Sequence, residues 1–227
     1  VGDDFDDSAA LLDLASTFEA RGASLVVGAA MSPGLSGLLA RHLADQLASV
    51  DEIHVAIHGT AGPACARAYH RSLSRRAHGW HDDEWADYLG GSGRELCWFP
   101  EPVGAKDCYR ADFADPYLLH AAFPGVRRIT ARRSARRRDR FTARLPMLRV
   151  PHAEGRIGAL RVEVRGANTG GGRECLVVGV AELVGTLAHV VTEQRAHHDP
   201  PHARSRLDIG LVFGSGCPCC ERLSRLD

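Results

Sequence analysis

The chain has 227 residues, of which 44% are hydrophobic and 25% are charged, and these proportions exclude a disordered or collagen-like polypeptide. Lysine and arginine together number 28, as do aspartate and glutamate, so no overall charge draws the chain to nucleic acid or to an anionic membrane. The seven cysteines are an odd number, which argues against a framework of disulfide pairs. No apolar run approaches the roughly 18 residues of a membrane span, so we expect a cytoplasmic protein with reduced thiols.

The first predicted elements are a helix, a buried strand and a second helix. An apolar stripe over Ser8–Gly22 follows an Asp-rich turn and indicates a helix. The uninterrupted apolar run Ser24–Ala30 predicts a central strand that is covered on both faces. Ser32 is the predicted N-cap of the next helix, with Pro33 at its first position, and leucines at intervals of three and four continue this helix to about Val50.

The middle of the chain predicts a strand, a helix, a loop and a pair of strands. The segment Glu52–His58 alternates apolar with polar or small residues, which indicates a strand with one buried face. A helix is predicted over Pro63–His78, and the aperiodic segment Gly79–Gly93 predicts a long surface loop that could contain a short hairpin. Two strands follow, over Glu95–Phe99 and Asp107–Ala111.

The last elements predicted include an antiparallel hairpin. A short helix begins at Asp115. The alternating segment Ala159–Arg165 predicts a half-exposed strand, and after a glycine turn Arg173–Val180 returns as its partner. An apolar helix is predicted over Ala181–Gln194, and residues 195–227 have the composition of a poorly ordered tail.

No complete glycine-rich nucleotide-binding motif is found in the sequence. The clusters Gly91–Gly93, Gly170–Gly172 and Gly214–Gly216 each lack the third glycine of G-x-G-x-x-G. The sequence also lacks the P-loop, H-E-x-x-H and G-x-S-x-G motifs, which argues against common nucleotide triphosphatases and hydrolases. What remains is the turn Gly28–Gly34, where a strand end meets a helix N-terminus whose free amides suit an anionic or polar group.

The amino-acid sequences of several segments are similar to those of one enzyme family. The segment Gly28–Ser36 (GAAMSPGLS), preceded by Val1–Asp4 (VGDD), resembles the saccharopine dehydrogenase-like oxidoreductases at the end of their dinucleotide-binding domain. In that family, this region consists of an Asp-rich turn, a helix and a strand, and the strand is followed by Gly-x-Gly-x-x-Pro-Gly. The resemblance continues through Gly91–Pro100 (GSGRELCWFP) and the strands around Val162 and Val177, and it covers roughly residues 1–192.

The resemblance implies an α/β protein in which the end of a Rossmann-like sheet is followed by a mixed, largely antiparallel sheet covered by helices. Residues 1–34 would be the remnant of a dinucleotide-binding domain, residues 35–194 a substrate and dimerisation domain, and residues 195–227 the tail. Two departures matter: Ala30 stands where the family often has a second glycine, and the N-terminal nucleotide fold with its fingerprint is not in this chain. Most NAD(P) contacts would lie in that missing fold, and whether the chain is active alone stays open.

The resemblance implies a reaction in which a hydride is transferred between nicotinamide and a carbon that bears nitrogen or oxygen. The protein must then supply a proton donor and charge complementarity to the substrate. His58, at a strand end, is the acid–base candidate, although a surface histidine is the plainer interpretation. Arg94 could hold a substrate carboxylate, with Glu95 beside it, unless the two form a surface ion pair. Asp107 and Arg110 are further catalytic candidates, with an exposed salt pair as their alternative.

The turn before the second predicted helix supplies the cofactor-binding candidates. By resemblance, these are Gly28, Met31, Ser32, Pro33 and Gly34. The partners expected are a small-molecule substrate and a second copy of the chain, because the edges of the half-exposed hairpin need a partner or a cover.

Two other patterns suggest different functions. The arginine-dense segment Arg127–Arg144 could bind nucleic acid, but Phe141 is its sole aromatic residue, so stacking platforms are lacking. Thiolates and imidazoles in the tail are ligands that zinc prefers, yet C-x-C-C lacks the usual two-residue gap, so no metal ligand is assigned. These tail residues are His197, His198, His202, Cys217, Cys219 and Cys220.

The alternative to an oxidoreductase is a non-enzymatic dimerising or zinc-binding module that kept the fold. Cys97 is a conceivable nucleophile, but a cysteine within a strand is more typical of a small core residue.

Overall fold

The computed structural model describes residues 4–60, 63–145 and 157–183. Within these ranges the chain forms six α-helices and eight β-strands. The helices are α1 (Phe5–Leu12), α2 (Ala15–Ala20), α3 (Leu35–Ala44), α4 (Pro63–Ser72), α5 (Asp115–Ala122) and α6 (Arg137–Thr142). The strands are β1 (Ser49–His58), β2 (Arg76–His81), β3 (Glu84–Leu89), β4 (Glu95–Trp98), β5 (Ala105–Arg110), β6 (Arg128–Ser134), β7 (Ile157–Ala167) and β8 (Arg173–Leu183).

The eight strands form one mixed sheet. The order β3-β2-β6-β1-β7-β8 runs across it, and β5, which carries β4, also pairs with β6. Strands β1 and β6 are parallel, with Glu52 opposite Arg128 and Ile57 opposite Arg133, whereas the other described pairs are antiparallel. Strand β2 pairs with the start of β6 and β5 with its end. The carboxyl ends of β1 and β6 therefore lie side by side.

One face of the sheet and the helices packed on it form the main core. Ile53 and Val55 of β1 and Val162 of β7 are at most 1% exposed, and they pack in one cluster with Leu39 of α3 and Leu119 of α5. Each fully buried aliphatic side chain of this kind contributes about 1.5–3 kcal/mol relative to an exposed one. Burial of this apolar face holds the sheet and its helices together.

The opposite face of the sheet carries many polar side chains beside a small buried apolar cluster that includes Ala56, Cys108 and Ala159. Glu163 is buried on β7, where Arg161 and Arg165 both ion-pair with its carboxylate. Burial alone would raise the pKa of Glu163, but the two guanidinium groups outweigh it and hold that pKa below its ordinary value. The polar face of β7 is more buried than the predicted half-exposed strand implies, because Glu163 is neutralised and buried, whereas Arg161 stays partly exposed and Arg165 exposed.

The predicted central strand over Ser24–Ala30 is absent. The segment makes no strand ladder, and Val26 is 60% exposed. A single bridge joins Ala30 to Gly34. An apolar run becomes a strand only where another strand offers backbone partners, and no described strand reaches this segment.

The boundaries of the first helices also differ from the prediction. The segment Ser8–Gly22 contains two short helices, α1 and α2, instead of one. The residue at the N-cap of α3 is Gly34, not Ser32, because the Ser32 hydroxyl donates to the side chain of Asp115. Helix α3 ends at Ala44, well before the predicted end.

The region between β1 and β4 contains more strand than the sequence predicted. The helix predicted over Pro63–His78 ends at Ser72, and its last residues belong to β2. The segment Gly79–Gly93, predicted as a long surface loop that could contain a short hairpin, contains most of the β2–β3 hairpin, in which Trp80 pairs directly with Trp85. This aromatic cross-strand pair stabilises a hairpin that lacks an apolar alternation.

Several predictions are confirmed. The strands around His58, Cys97 and Cys108, the helix that begins at Asp115 and the β7–β8 hairpin are all present. Of the predicted helix over Ala181–Gln194, the first three residues continue β8 and the others lie outside the described residues, as does the tail. No helix in the described ranges is long and apolar enough to cross a membrane.

A buried carboxylate attaches the turn before α3 to helix α5. Asp115 is 1% exposed and accepts hydrogen bonds from the hydroxyls of Ser32 and Ser36. Burial raises the pKa of Asp115, and the two serine hydrogen bonds oppose that rise. At the end of the same turn Gly34 has a φ of 141°, in the region that favours glycine.

Replacing Gly34 by alanine is expected to destabilise the fold. A Cβ atom there would lie 2.6 Å from the Gly28 carbonyl oxygen, in a backbone conformation that alanine avoids. We expect Gly34→Ala to lower the free energy of unfolding by about 2 kcal/mol or more, measured by urea denaturation. Gly37→Ala is the matched control, because a Cβ atom within the helix at Gly37 meets nothing within 4 Å. The control should be about 0.5 kcal/mol more stable than the parent, and equal effects of the two substitutions would contradict the geometry of the turn.

Asp115 should make stability depend on pH in the direction opposite to that of an ion-paired carboxylate. Because its folded pKa is raised, folding favours the protonated acid, and this stability is lost as the pH rises from about 4 through the folded pKa. Asp115→Asn lacks this contribution. Urea denaturation between pH 4 and pH 7 should therefore show the wild type losing stability relative to the variant as the pH rises, and a constant difference would contradict the assignment.

Candidate functional site

A cleft of about 680 Å³ lies at the carboxyl ends of the parallel strands β1 and β6. His58, the last residue of β1, and Ser134, the last residue of β6, both line it. In open α/β sheets, ligands bind in the crevice outside the carboxyl ends of the strands. The cleft lies at this position because β1 and β6 pair in parallel, and for this reason we take the cleft as the candidate site.

The cleft is rich in positive charge. Lys106 of β5 lines one side, and Arg136 and Arg137 at the start of α6 line the other. Asp107, the carboxylate among the lining residues, ion-pairs with Arg94, whose Nε lies 2.9 Å from Asp107 Oδ1. Cationic lining residues such as Lys106 and Arg137 suit a small anionic ligand such as a carboxylate.

His58 has the geometry of an acid–base residue. Its Nδ1 lies 2.8 Å from Ser134 Oγ, and its ring centroid lies 5.9 Å from that of Phe99. Burial lowers the pKa of His58, and the charges of Lys106 and Arg133 lower it further. The imidazole is therefore held neutral near neutral pH, and an anion bound beside it would reverse part of that effect.

The structure brings together some of the predicted catalytic residues and separates others. His58 and Asp107 share the cleft, and Arg94 reaches it through its ion pair with Asp107. Glu95 instead pairs with Arg132, with 2.7 Å between Glu95 Oε2 and Arg132 Nε.

Arg110 lies apart from the cleft-lining residues. Its guanidinium group lies 3.8 Å from the centroid of the Tyr88 ring, so it does not form the salt pair with Asp107 that was the alternative. Successive side chains of a strand point to opposite faces, so Arg110 and Asp107 of β5 lie on opposite sides of the sheet.

Sequence reasoning missed Lys106, Ser134, Arg136 and Arg137. Three of them, Ser134, Arg136 and Arg137, lie within the arginine-dense segment, for which the sequence suggested only nucleic-acid binding. Ile129 and Ala131 alternate with polar residues there, and this period of two was the available signal for β6. Arg133 of the same segment is buried, with the rings of Tyr69 and Phe113 against its guanidinium group.

The turn Gly28–Gly34 lines a second, smaller pocket of about 250 Å³ between α3 and α5. Its amides are not free as predicted, because those of Leu35 and Ser36 already donate to the carbonyl oxygens of Ala30 and Met31. The carboxylate of Asp115 also lies in this pocket. The turn therefore offers no ready cradle for a phosphate.

The cysteines of the described residues do not form a metal site. Cys97 and Cys108 are buried on neighbouring strands, and no disulfide joins cysteines within the described residues. Within the part of the chain that the structure describes, no cluster of three or more histidine, cysteine or acidic side chains could hold a metal ion. The histidines and cysteines of the tail lie outside the described residues.

Comparison with known proteins gives a match in structure but not in sequence. No family model matches the chain, and no curated protein matches it. The fold is similar to that of apo histidine-tagged saccharopine dehydrogenase (L-Glu forming) from Saccharomyces cerevisiae, with a TM-score of 0.50 and 10% sequence identity. The match covers 72% of this chain and 63% of that one, so the chain spans less than two thirds of the matched protein. The resemblance seen in the sequence is thereby confirmed for the fold, which is similar to that of saccharopine dehydrogenase.

Proposed function

We propose that this chain is the substrate-binding part of a saccharopine dehydrogenase-like, NAD(P)-dependent oxidoreductase acting on a small acid that bears an amino or hydroxy group. The observation that carries the proposal is the cation-lined cleft at the carboxyl ends of β1 and β6, with His58 at its edge. The fold supports the same class of enzyme, and the name of the matched structure suggests an amino acid ligand.

The residues of the cleft have separate roles in this proposal. Lys106 and the arginines at the start of α6 would bind the carboxylate of the substrate. His58 would donate or accept a proton at the nitrogen or oxygen on the reacting carbon, and Ser134 would hold the imidazole in place through its hydrogen bond. Asp107, paired with Arg94, would limit the net positive charge of the cleft.

The nicotinamide cofactor would supply the hydride, but the described residues do not form a cradle for its pyrophosphate. Around the turn Gly28–Gly34 the amides of Ala30, Leu35 and Ser36 already donate to backbone carbonyl oxygens, and the carboxylate of Asp115 would repel phosphate. Cofactor contacts by Gly28, Met31, Ser32, Pro33 and Gly34 therefore stay a prediction. A nucleotide-binding fold outside this sequence would provide the main contacts.

Binding of an amino acid in the cleft can be tested with L-glutamate. Lys106→Met removes one of the cations that line the cleft, and we expect it to weaken glutamate binding about tenfold in calorimetric titrations. Arg76→Met is the matched control, because Arg76 is exposed, lies on β2 away from the cleft and also carries one positive charge. Two results would contradict the proposed substrate site: equal glutamate affinity in the parent and both variants, or no detectable glutamate binding to any of the three proteins.

The proposal also predicts how the chain responds to the cofactor. Because the chain lacks the glycine fingerprint, titration with NADPH should show no micromolar affinity, as measured by quenching of tryptophan fluorescence. A clear micromolar dissociation constant would show that this chain carries the nucleotide site itself. Glutamate binding without NADPH binding is the combined result expected of a substrate-binding part.

A further inference from the structure

Strand β4 and the residue after it carry apolar side chains on both faces of the sheet. Cys97 and Phe99 are each 4% exposed and belong to one buried cluster, whereas Leu96 and Trp98 are 56% and 66% exposed. Successive side chains of a strand point to opposite faces, so Leu96 and Trp98 lie together on the face away from that cluster. Burial in the described core therefore does not explain why these two positions are apolar.

Trp98 differs from the other two tryptophans of the chain in its surroundings. Trp80 and Trp85 pack against each other, with 5.2 Å between their ring centroids, and Trp80 also stacks on His120. Trp98 makes no ring contact with any residue in the described ranges. Large apolar side chains that are exposed side by side are typical of a binding surface.

The exposed face of β4 continues into the cleft beside His58. In the antiparallel pair of β4 with β5, Leu96 lies directly opposite Asp107 and Trp98 directly opposite Ala105. Leu96, Ala105 and Asp107 all line the cleft. Side chains in directly opposite positions share a face, with their Cβ atoms about 5 Å apart, so Trp98 stands beside Ala105 at the rim of the cleft.

The cleft therefore has walls of two kinds. Lys106 and Arg137 supply positive charge, and Leu96 and Ala105 form an apolar wall that ends at the exposed indole of Trp98. The cationic wall suits a carboxylate, and the apolar wall suits a group that gains from leaving water. A ligand that uses both walls carries an anionic group at one end and an apolar group at the other.

We propose that the substrate of the cleft is an amino or hydroxy acid with a large apolar side chain, which packs against Leu96 and Trp98. This inference rests on the proposed function, because it takes the cleft as the substrate site. Its carboxylate binds at the cationic wall, and its side chain covers the apolar wall. An aromatic side chain gains most, since the attraction between two aromatic rings adds to the burial of apolar area.

Calorimetric titration with L-phenylalanine and L-alanine tests the apolar wall, because these amino acids differ only in the phenyl group. The parent should bind phenylalanine at least about tenfold more tightly than alanine. Trp98→Ala should weaken phenylalanine binding about tenfold, and Trp98→Phe should retain most of the affinity. Trp85→Ala is the matched control, because Trp85 is also exposed but lies on β3 outside the cleft lining, and this variant should bind as the parent does.

Titration with L-glutamate separates this inference from the proposed function. Lys106→Met should weaken binding of phenylalanine and glutamate alike, whereas Trp98→Ala should weaken only that of phenylalanine. If glutamate binds but phenylalanine binds no more tightly than alanine, the inference is wrong and the proposed function stands. The same holds if Trp98→Ala binds phenylalanine as the parent does, or if Trp85→Ala loses as much affinity as Trp98→Ala. If none of the three amino acids binds, both proposals are wrong.

Discussion

The parallel pairing of β1 with β6 is the constraint on which the rest of the structure depends. Parallel neighbours cannot be joined by a tight turn, so the chain between them must cross over, and here that crossover contains α4, two hairpins and α5. The pairing places His58 beside Ser134 at one edge of the sheet. It also fixes the position of β5, which pairs with the end of β6 and brings Lys106 to the same cleft.

Distribution of charge over the two sides of the sheet explains the many arginines in a chain without net charge. On the polar face, Arg161 and Arg165 neutralise the buried Glu163, and Arg132 pairs with Glu95. Most of these groups are structural, because an unpaired carboxylate would be costly to bury. At the cleft beside His58, Lys106 and Arg137 lie near the carboxyl ends of β1 and β6, and this positive charge is the basis of the proposed carboxylate site.

Local sequence patterns predicted those elements that can be recognised without knowing which distant residues they contact. The alternation of Ile53, Val55 and Ile57 was sufficient to predict β1, and with it the position of His58 at the end of a strand. Ser24–Ala30 has an equally apolar sequence and forms no strand, because pairing depends on distant backbone. The contact between Ser36 and Asp115 joins residues 79 positions apart and has no local signal. Lys106 and Ser134 were missed for the same reason, since only the sheet brings them to His58.

The central claim is that an anionic ligand binds beside a neutral His58, and NMR titration of its imidazole tests this most directly. The resonance can be assigned by its absence from a His58→Asn spectrum. In the free chain the pKa of His58 should lie below its ordinary value, because burial and the neighbouring cations disfavour the imidazolium. Saturating L-glutamate should raise that pKa, since a carboxylate in the cleft favours the charged form. An ordinary pKa in the free chain, or one that saturating glutamate does not move, would contradict the account.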